Sequence, residues 1–164
     1  MINCIVAVDQ DGGIGYNGNM PWPHLKGDMA WFKTMTTDNI VIMGSVTWCS
    51  LGCNPLPNRI NIILSRNNIY HNKHECVHTF NDPDTALAFC ENEYADKEIF
   101  IMGGGIIYTT YLDIIDRFYV TEIDAKFNCD THFNLGYVKE NFTKVKEHAK
   151  FTEPINYTIK EYNL

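Results

Sequence analysis

No stretch of the 164-residue chain approaches the roughly 20 uninterrupted apolar residues of a membrane span, and no charged and apolar leader of the secretory kind precedes Ile2. The first absence argues against a membrane-embedded protein and the second against an exported one. Positive charge is also in deficit, with 13 Lys and Arg against 20 Asp and Glu, a formal charge of -7. That balance disfavours general attraction to nucleic acid or an acidic membrane surface, so any bound anion must be held by local groups. Repeats, linkers and low-complexity tracts are missing as well. A single domain over 1–164 is expected, long enough to bury about 70% of its unfolded surface without staples. The six cysteines could form bridges, but without a leader they are expected to stay reduced in a cytoplasmic protein, with Cys4 a small core residue.

What is present has the composition of an ordinary globular protein, 45% hydrophobic and 20% charged. Short, nearly continuous apolar runs at 2–8, 40–43, 59–64, 98–102 and 117–125 predict buried strands, with a further short strand near Val77. Helical stretches fall between them: one from Leu25, one after Gly44-Ser45 with Ser45 as N-cap, one after Asn81-Asp82-Pro83, and one after the triple glycine 103–105. The tail around Pro154 alternates apolar and polar residues, as two half-exposed antiparallel strands do. Alternating buried strands and helices imply an α/β fold whose largely parallel sheet is covered by helices on both faces, with an antiparallel pair at the C-terminus.

The helix from Leu25 carries the most informative residue. Leu25, Met29, Phe32 and Thr36 recur at helical spacing, Trp31 and Met35 widen the stripe, and Asp28 lies on it. A carboxylate there either complements the exposed N–H groups of the first turn or is a functional acid in an apolar cleft. The preceding segment, from Asp9 to Pro23, contains four glycines and three large apolar groups, Ile14, Met20 and Trp22. It is a glycine-rich surface excursion or a loop that closes on something. Ligands of such sheets bind beyond the carboxyl ends of the strands. The loop after Val8, the helix start at Ser45, the pair Ser65-Arg66 and the triple glycine are expected along that edge. Two helix N-termini with free N–H groups would suit a ligand with two or more phosphates.

The blocks INCIVAV, GGIGYNGNMPW, GDMAWF, VIMGSVTW, PLPNRINIILSR, IMGGGIIY, VTEIDA and DTHF, in this order and at these separations, resemble the dihydrofolate reductase family over nearly the whole chain. The resemblance implies an eight-stranded mixed sheet with four helices, and NADPH-dependent reduction of 7,8-dihydrofolate to tetrahydrofolate. By the same resemblance Asp28 is the pterin-binding acid, Thr121 its hydrogen-bond partner, Trp22 the orderer of a water beside it, and Met20 the lid. Ile5, Met29, Phe32, Leu51, Leu56 and Met102 would line the folate pocket. Arg59 would hold the glutamate α-carboxylate, a bidentate task for which lysine is poorly suited. On the cofactor side the resemblance assigns Ala7, Ile14 and Tyr108 to the nicotinamide, Gly44, Ser45, Thr47, Gly104 and Gly105 to the phosphates, and Ser65 and Arg66 to the adenosine 2′-phosphate. The chain departs from the family pattern at Ser45-Val46, where basic residues are usual. Hydride transfer to pterin C6 with a water-borne proton for N5 is the implied chemistry. Antifolates are expected to bind, and a monomer is expected.

Other signals are weaker. His71, His74, Cys76 and His78 are of zinc-ligand type, but their spacing matches no closed tetrahedral pattern, and no metal is expected. Cys49 and Cys53 are expected to pack rather than to form a redox pair. His24, His132 and His148 are expected to be structural or surface residues. Two rivals stay open: a same-fold reductase of another heterocycle such as a riboflavin-pathway pyrimidine, and a non-catalytic binding or assembly protein that kept the fold. Arg59 and the Asp28 with Thr121 pair speak against the first. An intact lid and acid speak against the second.

Overall fold

The protein is described by a computed structural model covering residues 1–67 and 74–164. In chain order the strands are β1 (Ile2–Val8), β2 (Gly13–Gly15), β3 (Ile40–Gly44), β4 (Ile60–Leu64), β5 (Val77–Phe80), β6 (Ile99–Gly103), β7 (Arg117–Ile123), β8 (Thr131–His132), β9 (Lys144–Phe151) and β10 (Tyr157–Asn163). The helices are α1 (Lys26–Thr36), α2 (Ser45–Ser50), α3 (Pro83–Glu93), α4 (Gly105–Tyr111) and α5 (Leu135–Asn141), with a 3-10 turn at Leu112–Ile114. Eight strands belong to a mixed, mostly parallel sheet, and β2 with β8 forms a separate antiparallel pair. This is the expected class, with a fifth helix added.

The chain divides into two compact units, one of Met1–Ile2 with Thr36–Ile114 and the other of Asn3–Met35 with Ile115–Leu164. The first holds β3 to β6, all in parallel: β4 lies between β5 and β3, and β3 pairs with β6. Its strands read as apolar runs because both faces are covered. Ile40, Val41, Ile42, Met43, Ile62, Ile63, Phe100 and Ile101 are all fully buried. α3 starts where proline pre-sets the first turn and the Asp82 carboxylate caps the N–H of Thr85 at 2.8 Å.

In the second unit β7 lies between β1, parallel to it, and β10, antiparallel to it, and β9 closes onto β10. Side chains alternate across β7, and its two faces carry different helices. Tyr119 meets Trp31 of α1 edge-on at 6.0 Å, while Phe118 meets Phe142, just past α5, at 4.8 Å. β10 shows the predicted alternation of buried and half-buried residues, whereas β9 is mostly exposed.

Several expectations need correction. Ser45 is not the cap of α2: Gly44 occupies the N-cap in extended conformation, and Ser45 is already helical. The segment from Asp9 to Pro23 is not all loop, because Gly13 and Gly15 pair with His132 and Thr131. α5 was not expected; it is capped by Asn134, whose side chain accepts from the N–H of Tyr137, and it buries Val138. The α1 stripe is covered only at its ends: Leu25 and Thr36 are buried, Trp31, Phe32 and Met35 are half-buried, and Met29 is 44% exposed. Cys49, within α2, and Cys53, past its end, are exposed rather than packed. His71 lies outside the described residues, and among those described no cluster suited to a metal ion occurs. No helix among them is long and apolar enough to cross a membrane.

Candidate active site

In the second unit the site is built on the start of α1. Gly27 allows this start to approach β10 and the end of β9, since a Cβ there would stand 2.4 Å from the Phe151 ring and 2.7 Å from the Tyr157 hydroxyl. The Gly27 N–H donates to that hydroxyl at 3.0 Å. Asp28 follows in the first helical turn, and the Thr121 hydroxyl donates to its Oδ1 at 2.6 Å. The two expectations for Asp28, dipole partner and acid in a cleft, are therefore compatible. Burial pushes the Asp28 carboxyl above its ordinary value, and the Thr121 hydrogen bond opposes the rise without cancelling it. A carboxylate raised by desolvation and held on one oxygen can accept a second donor on the other.

Thr121 is itself buried and set in the interior of the strand group, paired with Ala7 on one side and Ile159 on the other. Ile5 and Ala7 alternate onto the same face of β1 as their register partners Tyr119 and Thr121 do on β7. Trp22 is buried with Leu25, Ile123 and Tyr157, and Ala7 packs on that cluster. Ile14 is half-buried, and Met20 is 55% exposed. Asp28, Thr121, Trp22 and Ala7 are thus brought together. Met29 and Phe32 continue the apolar surface along α1.

The first unit holds the strand-glycine-helix junctions side by side, because β3 and β6 are neighbours with Met43 opposite Gly103. A Cβ on Gly44 would stand 2.9 Å from Ile107 of α4. Gly103 has φ of 112°, where side chains are rarely tolerated, and a Cβ on it would stand 3.0 Å from the Tyr108 ring. The buried Tyr108 donates its N–H to the Gly104 carbonyl at 3.0 Å. A Cβ on Gly104 would lie 3.7 Å from Thr47 Oγ1, which places the two junctions in contact range. Both helices are capped by glycine, so neither has a side-chain cap on its first N–H groups. Such a pair fits a phosphate-bearing cofactor.

Elsewhere in this unit Arg59 is only 6% exposed; its Nε donates to the Pro57 carbonyl at 2.9 Å and its NH1 to Thr36 Oγ1 at 3.1 Å. Burial lowers its pKa, though a guanidinium stays charged. Leu51, Leu56 and Met102 are half-buried, Ser65 is buried at the end of β4, and Arg66 and Val46 are exposed. Two residues that no sequence signal singled out shape this geometry. Asn61, fully buried, exchanges hydrogen bonds with both backbone groups of Leu56 and donates to the Arg59 carbonyl, while Tyr157 receives Gly27. An Asn inside an apolar strand was the available signal for the first; the second has only long-range causes.

The family model described as dihydrofolate reductase matches residues 1–164. Among curated proteins the chain is 40% identical to the dihydrofolate reductase of Haemophilus influenzae over 129 residues, 79% of this chain and 76% of that one. It is 38% identical to the viral dihydrofolate reductase of Saimiriine herpesvirus 2 over 148 residues, 81% of this chain and 68% of that one. It is also 38% identical to the Sus scrofa enzyme of that name, covering 80% and 78%. Among solved structures it is similar to Enterococcus faecalis dihydrofolate reductase complexed with NADP(H) and RAB-propyl, with a TM-score of 0.80, 30% identity, and 99% and 95% of the two chains covered.

Proposed function

The chain belongs to the dihydrofolate reductase family, an oxidoreductase family that uses NADPH, and from that premise we propose that residues 1–164 act as one catalytic domain reducing 7,8-dihydrofolate to 5,6,7,8-tetrahydrofolate. The observation that carries the reading is the Asp28 carboxyl, raised by burial and held on one oxygen by Thr121. Its free oxygen, with the shared one, can accept two parallel N–H donors from the edge of a pterin, N3 and the 2-amino group. The same pairing would hold antifolates that present two adjacent N–H donors.

Ile5, Met29, Phe32, Leu51, Leu56 and Met102 supply apolar contact to the substrate, and Arg59, whose guanidinium is set by the Pro57 carbonyl and the Thr36 hydroxyl, meets its glutamate carboxylate. Gly44, Ser45, Thr47, Gly104 and Gly105 would hold the cofactor's phosphates, Ser65 and Arg66 its 2′-phosphate, and Ala7, Ile14 and Tyr108 its nicotinamide. When bound, NADPH supplies the hydride that pterin C6 accepts. Asp28 fixes the pterin's orientation and the local field, Trp22 orders water near the acid, and movement of Met20 admits the proton that reaches N5 through water. NADPH absorbance followed with dihydrofolate present and absent is the test. Oxidation that depends on dihydrofolate is expected; none, with NADPH binding intact, removes the reading.

A further inference from the structure

Asp9, at the end of β1, is a carboxylate only 2% exposed whose acceptors are divided between two loops. Its Oδ1 takes the N–H groups of Asp11 at 2.9 Å and Gly13, the first residue of β2, at 2.8 Å, both in the segment that follows β1. Its Oδ2 takes the N–H of Phe127 at 3.0 Å and faces the Cys129 thiol at 3.6 Å, both in the segment between β7 and β8. Burial alone would raise the Asp9 carboxyl, but the N–H groups of Phe127, Gly13 and Asp11 and the thiol outweigh it and bring it below its usual range. Glycine at 13 is needed for this convergence, because a Cβ there would stand 2.4 Å from the Cys129 sulfur. The two segments also meet through Gln10 N–H to the Ala125 carbonyl at 3.0 Å and Phe133 N–H to the Gly12 carbonyl at 2.8 Å. The Phe127 ring, whose backbone Asp9 holds, stands edge-on to Trp22 at 5.9 Å. Trp22 in turn is buried with Leu25, the residue ahead of α1 and Asp28.

We propose that Asp9 is a positioning residue for the reduction, clamping the base of the segment from Asp9 to Pro23 to the segment after β7 and, through Phe127, fixing Trp22 at the head of α1. The inference rests on the function proposed above and extends it to a residue that touches neither substrate nor cofactor. Asp9→Asn is nearly isosteric but replaces one acceptor oxygen with an NH2 group, so in either orientation donors on one of the two loops face a donor. The expected result is a hydride-transfer rate, measured in a single turnover, about tenfold lower, the equivalent of one charge-assisted hydrogen bond. KM for dihydrofolate and for NADPH should stay within about twofold, and hydrogen exchange at the Phe127 or Gly13 amide should accelerate.

Phe127→Leu keeps the N–H that Asp9 accepts and removes the aromatic edge on Trp22. It should lose hydride-transfer rate to a similar extent while the Gly13 amide stays protected. A wild-type rate in Phe127→Leu, or faster exchange without a slower rate in Asp9→Asn, overturns the proposal; if Asp9→Asn does not fold, Phe127→Leu decides it. A wild-type chain inactive on dihydrofolate would overturn the functional reading by itself, whereas slow exchange at Gly13 and Phe127 in that chain would leave the clamp standing.

Discussion

Asp28 works against the stability of the chain it serves. Its carboxyl is raised in the folded state by burial, so the folded chain holds that proton more readily than the unfolded one. The associated stabilisation is complete below the ordinary carboxylate value and is lost as pH rises through the raised one. At neutral pH the ionised group is therefore a net cost, and Asp28→Asn should raise Tm by about 2 °C near pH 7, the gain shrinking as pH falls toward the ordinary carboxylate range. Thermal melts at both ends of that window check the sign. The same substitution should cut kcat/KM for dihydrofolate by at least about 100-fold, with NADPH affinity nearly unchanged. Arg66 gives a second prediction. With Ser45 and the 62% exposed Val46 where basic residues are usual, the proposed site leaves one arginine and the Ser65 hydroxyl to discriminate the 2′-phosphate. A charge-assisted contact of about 1.5 to 3 kcal/mol corresponds to about a 10- to 150-fold preference for NADPH over NADH. Arg66→Ala should bring the two KM values together by weakening NADPH alone, and added salt should narrow the gap in the wild type.

At the scale of elements, what the sequence disclosed depended on how local the cause was. β1, β3, β4 and β6 were legible as apolar runs because burial on both faces writes itself into every residue. The α3 start was legible because proline and its Asp82 cap are adjacent. β2 and its pairing with the short edge piece at 131–132 were not, since Gly13 finds His132 only after the chain has returned, and three glycine-rich residues carry no periodicity. α5 was missed because seven residues give two turns of pattern, although Asn134 marked its start. The acid, its threonine and the glycine junctions could be named in advance, but not Gly27, whose purpose is a ring 124 positions away in sequence, Phe151. Gly27→Ala should force α1 from its seat, lowering stability by about 1 to 3 kcal/mol and raising KM for dihydrofolate more than for NADPH. Denaturant melts and steady-state kinetics on the same sample would show both effects; a variant as stable as the parent would mean that the Phe151 ring yields.

For the molecule as a whole, composition settled the broad class and a charge of -7 placed the burden of anion binding on local groups, a task the proposed function gives to the glycine-capped helix starts and Arg66. One further consequence follows from β9, the last strand in the sheet order. Among the described residues no strand neighbours its outer backbone groups, and such a margin is an invitation to a second chain. The residues it shows to water are Lys144, Val145, Lys146, Glu147 and Lys150, one apolar group among charges mostly of one sign, so an incoming identical strand would meet like charges in place of an apolar seam. The pairing with β10 also slips by a residue near Ile159 and Lys160, which bends the margin away from flatness. Replacing the three lysines together with threonine should leave the fold nearly as stable and let copies add edge to edge, read as light scatter and thioflavin fluorescence that grow faster on storage than in the parent. Clear solutions at concentrations matched to the parent would show that the twist, and not the charge, keeps strangers out.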